Sequence, residues 1–191
     1  MAKKVLVLLG HPDSESMCCE FADSYAAGAR ENGHEVRRVN LGDMVFDPIL
    51  HKGYKVIQEL EPDLKKLQED MRWCDHLVII YPSWWSTMPA LLKGLFDRMW
   101  IPGFAFKFNP SGYSWQRLLK GRTARVFVTS DSHPLLARFI FGDNTNEIKD
   151  GILWFAGFST NIKKVGPMKH ISPERRVKWS HKFVKYGRRL Y

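Results

Sequence analysis

Two uninterrupted apolar runs stand out in the first half of the chain. Lys4–Leu9 reads KVLVLL and His76–Pro82 reads HLVIIYP. Runs of this length are typical of strands that a parallel sheet buries on both faces. Residues 34–41, 124–130 and 160–167 have further strand patterns, and we expect the first of these, the weakest, near an edge of the sheet.

Between these strands the apolar residues follow helical spacing. The first helix is predicted to begin after Ser16, as its N-cap, and to stop at Asn32–Gly33. Its apolar stripe repeats every four residues: Met17, Phe21, Tyr25 and Ala29. Residues 42–60 show no clear pattern. Four more helices are expected, three opened by Pro62, Pro89 and Pro173 and one over residues 149–157.

Strands that alternate with helices predict a parallel sheet with helices on both faces. Five such strands fit an α/β, doubly wound sheet of the flavodoxin-like type, with strand order 2-1-3-4-5. The sequence has no internal repeat, low-complexity tract or linker, so we expect residues 1–191 to form a single domain. Ligands of such sheets bind beyond the carboxyl ends of the strands where the order reverses, here between the first and third strands.

Three predicted loops follow strands at this end of the sheet. They read GHPDSES, PSWWST and TSDSHP, and two of them lead into helix N-termini, which favour anions. The phosphate loop GxxxxGK[ST] and the dinucleotide loop GxGxxG are both absent. Their absence argues against P-loop nucleotide hydrolases and ordinary Rossmann dehydrogenases. A flavin phosphate held by serines and backbone amides remains open.

The middle loop contains two adjacent tryptophans, Trp84 and Trp85. Neighbouring side chains of an extended segment point in opposite directions, so the two indoles cannot both face one core. We expect one of them to form the flat, water-poor wall that a flavin ring requires, while its neighbour packs inward. Burial of the pair in the core is the alternative.

Charge is concentrated at the end of the chain. Residues 163–191 carry ten basic side chains and one acid, and so account for the whole formal net charge of +9. We expect a basic helix whose outer face is either simply solvated or attracted to anionic lipids or to an acidic partner. No recognition motif for nucleic acid accompanies the charge, so no nucleic-acid partner is expected.

The apolar runs and the cysteines indicate the cellular compartment in which the protein is expected. No run reaches the roughly 20 residues that span a bilayer, and the N-terminal run is too short for a signal sequence. We therefore expect a cytoplasmic protein. Cys18, Cys19 and Cys74 have neither disulfide nor zinc-site spacing, so reduced thiols and no metal are expected.

Four stretches of the chain resemble a known family. They read LVLLGHPDSES, NLGDMVFDPIL, GILWFAGF and, most specifically, LVIIYPSWWSTMPALLKGLFDRMWIPGFAF. The chain resembles the flavodoxin-like NAD(P)H:quinone oxidoreductases, which include the mammalian quinone reductases and short bacterial relatives. The resemblance implies a homodimer that carries FAD, with FMN as the alternative, takes hydride from NAD(P)H, and reduces quinones or similar electrophiles by two electrons in a ping-pong cycle.

The resemblance also implies roles for individual positions. Phe106 and Phe108 match aromatic residues that roof the substrate pocket and are candidates to reach the second chain. Asp131 and Ser132 replace glycines of the third flavin loop. The three loops that match flavin-binding positions contain His11, Ser16, Met17 and Cys18; Pro82, Ser83, Trp84, Trp85 and Ser86; and Thr129, Ser130, Asp131 and Ser132.

The match leaves the catalytic residues unassigned. The Tyr and His that support hydride transfer in relatives of the mammalian type have no clear counterpart in HPLLARFIFGDN. The alternative to an enzyme is a regulatory subunit of a membrane transporter, docked through the basic C-terminal helix.

Overall fold

A computed structural model describes residues 1–190 and contains one five-stranded parallel sheet and a short antiparallel hairpin. The strands of this part of the chain are β1 Lys4–Leu9, β2 Glu35–Asn40, β3 His76–Pro82, β4 Phe106–Phe108, β5 Trp115–Arg117, β6 Thr123–Thr129 and β7 Ser159–Val165. Their order across the sheet is β2-β1-β3-β6-β7, and β4 pairs with β5 outside it. The predicted order is confirmed once the hairpin is skipped.

Helices connect the parallel strands. Within residues 1–190 they are α1 Met17–Glu31, α2 Pro62–Trp73, α3 Ala90–Met99, α4 Pro134–Phe141, a π-helical segment Glu147–Trp154, and α5 Pro173–Arg189. The side-chain hydroxyls of Ser16 and Ser172 accept hydrogen bonds from the amides of Cys19 and Arg175, and so cap α1 and α5 as predicted. No helix among these residues is long and apolar enough to cross a membrane.

β1 shows how both faces of the sheet are covered. Its side chains alternate between two buried clusters, as the two-residue period of a strand requires. Val5, Val7 and Leu9 pack in the cluster that contains residues of α1 and α5. Leu6 and Leu8 pack in the cluster that contains residues of α2 and α3. The uninterrupted apolar run of β1 is therefore explained by burial on both faces.

Three features of the chain differ from the prediction or were missed by it. The helix expected over residues 149–157 is π-helical over Glu147–Trp154, a form that is rare and often found at functional sites. Helix α4 and the β4–β5 hairpin were not predicted. Arg138 is the one polar residue among the eight of α4, which read PLLARFIF, so the helix lacks the polar face by which an amphipathic surface helix is recognised.

Candidate functional site

The parallel pairing brings three strand ends to one place. β3 lies between β1 and β6, and the three strands run in the same direction. Hydrogen bonds continue the pairing beyond the strands: the amide of Gly10 donates to the carbonyl of Ile80 at 2.8 Å, and that of Ser83 to the carbonyl of Thr129 at 2.7 Å. The loops that were predicted to hold a flavin therefore start side by side at the carboxyl edge of the sheet.

The first loop is held by its own polar groups before α1 begins. The amide of Asp13 donates to His11 Nδ1 at 2.9 Å, and the amide of Glu15 donates to Asp13 Oδ1 at 2.8 Å. The Cys18 thiol lies 3.3 Å from the Thr129 hydroxyl, which joins this loop to the third one. Burial raises the pKa of the Cys18 thiol to about 11, which favours the neutral thiol at physiological pH.

The second loop forms a tight turn around its tryptophans. Trp84 and Thr87 exchange backbone hydrogen bonds of 2.9 and 3.1 Å, and the two residues between them, Trp85 and Ser86, have φ values of 51° and 63°. Positive φ at both central residues is the conformation of a type I′ turn. For a residue as bulky as tryptophan it is strained, and such strain concentrates at functional sites.

The turn corrects one expectation for the tryptophan pair. The segment is not extended, and neither indole packs into the core: Trp85 is fully exposed and Trp84 is 44% exposed. The ring of Trp84 lies edge-on to that of His11, with centroids 5.4 Å apart. Because the turn reverses the chain, the rule for neighbouring side chains of a strand does not apply. Trp85 is left with a free ring face at the edge of the sheet.

The third loop is anchored to the end of β7. The amide of Ser130 donates to the carbonyl of Val165 at 3.0 Å, and the amide of Met168 donates to the carbonyl of Ser130 at 2.9 Å. The Ser130 hydroxyl donates to the carbonyl of Ser132 at 2.8 Å. These bonds leave Asp131 and Ser132 exposed.

A cavity of about 390 Å³ joins the second and third loops. Six of the predicted flavin-loop residues line it: Ser83, Trp85, Ser86, Ser130, Asp131 and Ser132. The rest of the lining comes from three residues of α4, Pro134, Ala137 and Phe141, and from Val128, Asn144 and Lys164. The first-loop residues His11, Ser16, Met17 and Cys18 lie outside this cavity, as do Pro82, Trp84 and Thr129.

Polar residues that follow α4 in the chain hold the second loop in place, and the sequence patterns missed them; two of them, Asn144 and Lys164, also line the cavity. Asn144 Nδ2 donates to Ser83 Oγ at 3.0 Å, and Lys164 Nζ donates to Asn144 Oδ1 at 2.8 Å. The Glu147 carboxylate accepts from the Thr87 hydroxyl and, at 3.4 Å, from the amide of Met88. These partners are 20 to 61 residues apart in the chain, so no local pattern could have revealed them.

The two predicted roof residues lie elsewhere. Phe106 and Phe108 line a second cavity of about 730 Å³, between α3, the 50–58 segment and the π-helical segment. Their rings contact one another edge-on, and Phe106 also contacts Phe155, with ring centroids 5.1 Å apart in each pair. None of the three flavin loops lines this cavity. A single chain therefore does not bring the predicted roof and the predicted flavin loops together.

The residues at the carboxyl edge fit a flavin. Loop hydroxyls, the free amides at the start of α1 and a neutral Cys18 suit a phosphate and a ring with hydrogen-bonding edges. The exposed face of Trp85 suits stacking on an aromatic ring. Asp131 is the one carboxylate among the cavity residues, and it would oppose negative charge on a reduced ring nearby.

Comparison with known proteins places the chain in a family. The sheet order and the three loops define a flavodoxin-like α/β protein. A family model described as having the flavodoxin-like fold matches residues 3–161, and the chain belongs to this family.

Its relatives carry the names of NAD(P)H-dependent enzymes. An uncharacterised NAD(P)H oxidoreductase of Haemophilus influenzae is 31% identical over 134 residues, which are 67% of this chain and 64% of the relative. NAD(P)H dehydrogenase (quinone) 1 of Rattus norvegicus is 24% identical over 200 residues, covering 92% of this chain and 73% of the relative. The chain spans less than two thirds of the length of the first curated relatives that it matches.

A solved structure supports the fold over the whole chain. The FMN-dependent NADH-azoreductase of Bacillus anthracis str. Ames Ancestor, solved in complex with FMN, has a TM-score of 0.73 and 21% identity. The superposition covers 98% of this chain and 99% of that one.

Proposed function

We propose that the protein is a flavin-dependent NAD(P)H oxidoreductase that reduces quinones or similar electrophiles by two electrons. The observation that carries the proposal is the convergence of the three loops beside β1, β3 and β6, with hydroxyls, free amides and the Trp85 ring at one edge. The names of the relatives support the same activity. They also favour it over the ancillary transporter subunit.

The residues of the three loops would bind different parts of the flavin. The amides at the start of α1, with the Ser16 cap, would hold the phosphate. Ser83, Ser86 and the amides of the third loop would hydrogen-bond the ring edge, and Trp85 would cover one ring face. A bound flavin supplies hydride transfer in both half-reactions. NAD(P)H and the acceptor would use the same open side of the site in turn, which gives ping-pong kinetics.

The flavin is proposed to be FAD or FMN. The family resemblance of the sequence favours FAD, and the structural relative solved with FMN favours FMN. Mass analysis of the cofactor released by heating the purified protein distinguishes the two.

We propose that the protein is a homodimer, and the separation of the two cavities supports this proposal. Phe106 and Phe108 cannot roof the flavin loops of their own chain, because they line a different cavity. In the proposed dimer of single-domain chains they roof the flavin site of the partner subunit. Exposed apolar residues around the second cavity, among them Tyr54, Val56 and Ile57, supply a surface that a second chain would cover.

A visible absorption spectrum tests the proposed function. The purified protein, or the protein after incubation with FAD or FMN, should be yellow and should bleach on anaerobic addition of NADPH or NADH. Trp85→Asp should bind flavin less tightly, whereas Tyr113→Asp, an equally exposed aromatic in the β4–β5 connection, should bind it normally. A protein that takes up neither flavin would refute the proposal.

A further inference from the structure

Lys164, near the end of β7, brings a positive charge to the candidate flavin cavity. It lines this cavity together with Val128, its partner in the pairing of β7 with β6. Of the cavity-lining residues within 1–190, Lys164 is the one cation and Asp131 is the one carboxylate. The two residues would therefore act on the same ligand with charges of opposite sign.

Two oxygen atoms hold the ammonium group of Lys164 in place. Its Nζ donates to Asn144 Oδ1 at 2.8 Å and to Asp143 Oδ1 at 3.3 Å. An ammonium group has three N–H donors, and no further residue in the described part of the chain accepts a hydrogen bond from this one. One N–H of Lys164 can therefore donate to a ligand in the cavity.

The ion pair with Asp143 does not cancel this charge inside the cavity. Asp143 is not among the residues that line it, and it also accepts a hydrogen bond from the Thr145 hydroxyl at 2.7 Å. The Asp143 side chain is 40% exposed and that of Lys164 is 23% exposed. Because water screens the more exposed charge more strongly, the field of the ammonium group in the cavity is stronger than that of the carboxylate outside it.

The same lysine determines how Asn144 and Ser83 are oriented. An ammonium group only donates, so the amide oxygen of Asn144 must face Lys164. The amide nitrogen of Asn144 then faces Ser83 and donates to its Oγ at 3.0 Å. Since the Ser83 oxygen accepts this bond, its hydroxyl hydrogen is left for a ligand in the cavity, which Ser83 also lines. Lys164 and Ser83 thus present two donors to one ligand.

We propose that Lys164 stabilises the reduced flavin relative to the oxidised flavin, with Ser83 as the second donor. The charge around a flavin ring tunes its electronics, and a cation with hydrogen-bond donors stabilises negative charge that develops beside it. Asp131 would have the opposite effect. The inference rests on the proposed function and deepens it, because it identifies the side chains that set the reduction potential of the site.

The reduction potential of the bound flavin, measured by anaerobic titration against a reference dye, tests the proposal. This potential depends on the ratio of the affinities of the protein for the oxidised and the reduced flavin. A lysine that only held the second loop in place would change both affinities by the same factor and would leave the potential unchanged.

Lys164→Gln keeps a donor for Asn144 but loses the charge. Relative to the oxidised flavin, the reduced flavin should bind on the order of tenfold less tightly, which lowers a two-electron potential by about 30 mV. Lys164→Arg keeps the charge and should restore most of the potential, and Asp131→Asn should raise it. The matched control is Lys163→Gln. Lys163 is the neighbouring residue of β7, lies over the ring of Tyr186 at 5.1 Å from its centroid and does not line the cavity, so its loss should leave the potential unchanged.

Two results would overturn the role of Lys164. One is an unchanged potential in Lys164→Gln, and the other is an equal shift in Lys163→Gln, which would assign the effect to overall charge. Lys164→Met provides the same test if the glutamine variant does not fold. A parent protein that binds neither FAD nor FMN would refute the proposed function as well, whereas a flavin that NADPH or NADH bleaches, with no shift in Lys164→Gln, would refute only the role of Lys164.

Discussion

Two cavities among residues 1–190, one at the carboxyl edge of the sheet and one beside α3, differ in construction. The cavity at the carboxyl edge is about 390 Å³ and is lined by serines, one carboxylate, Lys164 and part of α4. One of its two loops contains a strained turn. The other cavity, about 730 Å³, is lined mainly by apolar and aromatic side chains from α3, the 50–58 segment and the π-helical segment. The first has the groups that orient a polar ligand, and the second has the surface that an apolar ligand or a second chain would bury.

Residues that are neighbours in the sequence around α3 therefore fall into two groups, one for each cavity. Trp85 and Phe106 are 21 positions apart in one continuous stretch that contains α3 and its flanking loops, yet they line different cavities. The loop before α3 lies at the carboxyl edge of the sheet, and Phe106 and Phe108 after α3 line the cavity beside this helix. Substitutions in the two cavities should therefore change different measurable properties.

The largest effect is expected from Arg98, which supports the apolar cavity. Its guanidinium is 2% exposed and bonds both oxygens of the Glu61 carboxylate, at 3.1 and 2.8 Å, and the carbonyls of Asp47 and Glu59. Although burial opposes it, hydrogen bonding from Arg98 lowers the pKa of Glu61. Arg98→Ala removes the cation that pairs with Glu61, which keeps the amide of Asp47 at 3.1 Å, and takes a donor from both carbonyls. The loss should cost about 3–5 kcal/mol of unfolding free energy, measured by urea denaturation.

A variant on the same helix provides the control for Arg98. Lys93 forms an exposed ion pair with Asp97 at 2.6 Å, and Lys93→Ala should cost less than about 1 kcal/mol. Equal losses in the two variants would contradict the role of Arg98 as the anchor of the segment that closes the second cavity.

The next largest effect is a dependence of stability on pH that involves neither cavity. His76 begins β3 at the amino edge of the sheet, where burial and then the charge of Lys3 lower its pKa from 6.5 to about 4. Below pH 6.5 the unfolded chain binds a proton that the folded chain does not. Stability should therefore fall as the pH drops from about 6.5 to about 4, by roughly 3 kcal/mol.

A variant without the imidazole isolates this contribution. His76→Gln should lose most of the slope between pH 6.5 and 4 in urea denaturation curves. An unchanged slope would mean that other groups cause it. Flavin uptake per folded molecule should not follow this titration, because His76 lines neither of the two cavities.

Substitutions in each of the two cavities test directly whether the cavities have separate roles. Trp85→Asp should weaken flavin binding by on the order of tenfold, or about 1.4 kcal/mol, because an aromatic stacking surface is lost. Phe106→Ala/Phe108→Ala should leave flavin binding unchanged and raise the KM for a quinone, because the roof would come from the partner subunit. Flavin fluorescence titration and steady-state kinetics measure the two effects, and parallel losses of flavin in both variants would argue against separate roles.

The sequence predicted the order of the sheet and the meeting of the three candidate loops at its carboxyl edge, but not the contacts that support these loops. Uninterrupted apolar runs are sufficient to identify β1 and β3 as central strands, and the caps Ser16 and Ser172 are local signals. The turn at Trp85 was not predictable, because its positive φ occurs without glycine. Helix α4 was missed since its apolar side chains stay exposed, against the pattern of a packed helix.

The smallest effect is expected from Glu147, which reaches the second loop from the π-helical segment. Its carboxylate accepts from the Thr87 hydroxyl and the amide of Met88, next to the strained residues Trp85 and Ser86. Glu147→Gln keeps the shape but loses the charge-assisted part of these bonds, which is about 1 kcal/mol. A turn held less firmly should bind flavin a few-fold more weakly, with little change in the free energy of unfolding.

Two comparisons make the Glu147 prediction specific. Asp150→Asn removes an exposed carboxylate from the same segment and should not change flavin affinity, which excludes a general charge effect. In a Thr87→Val background, Glu147→Gln should cost less than in the parent, because the hydrogen bond that couples the residues is already gone. Additive effects of the two substitutions would show that Glu147 does not affect flavin binding through its hydrogen bond with Thr87. The turn at Trp85 and Ser86 would then keep its conformation without support from the π-helical segment.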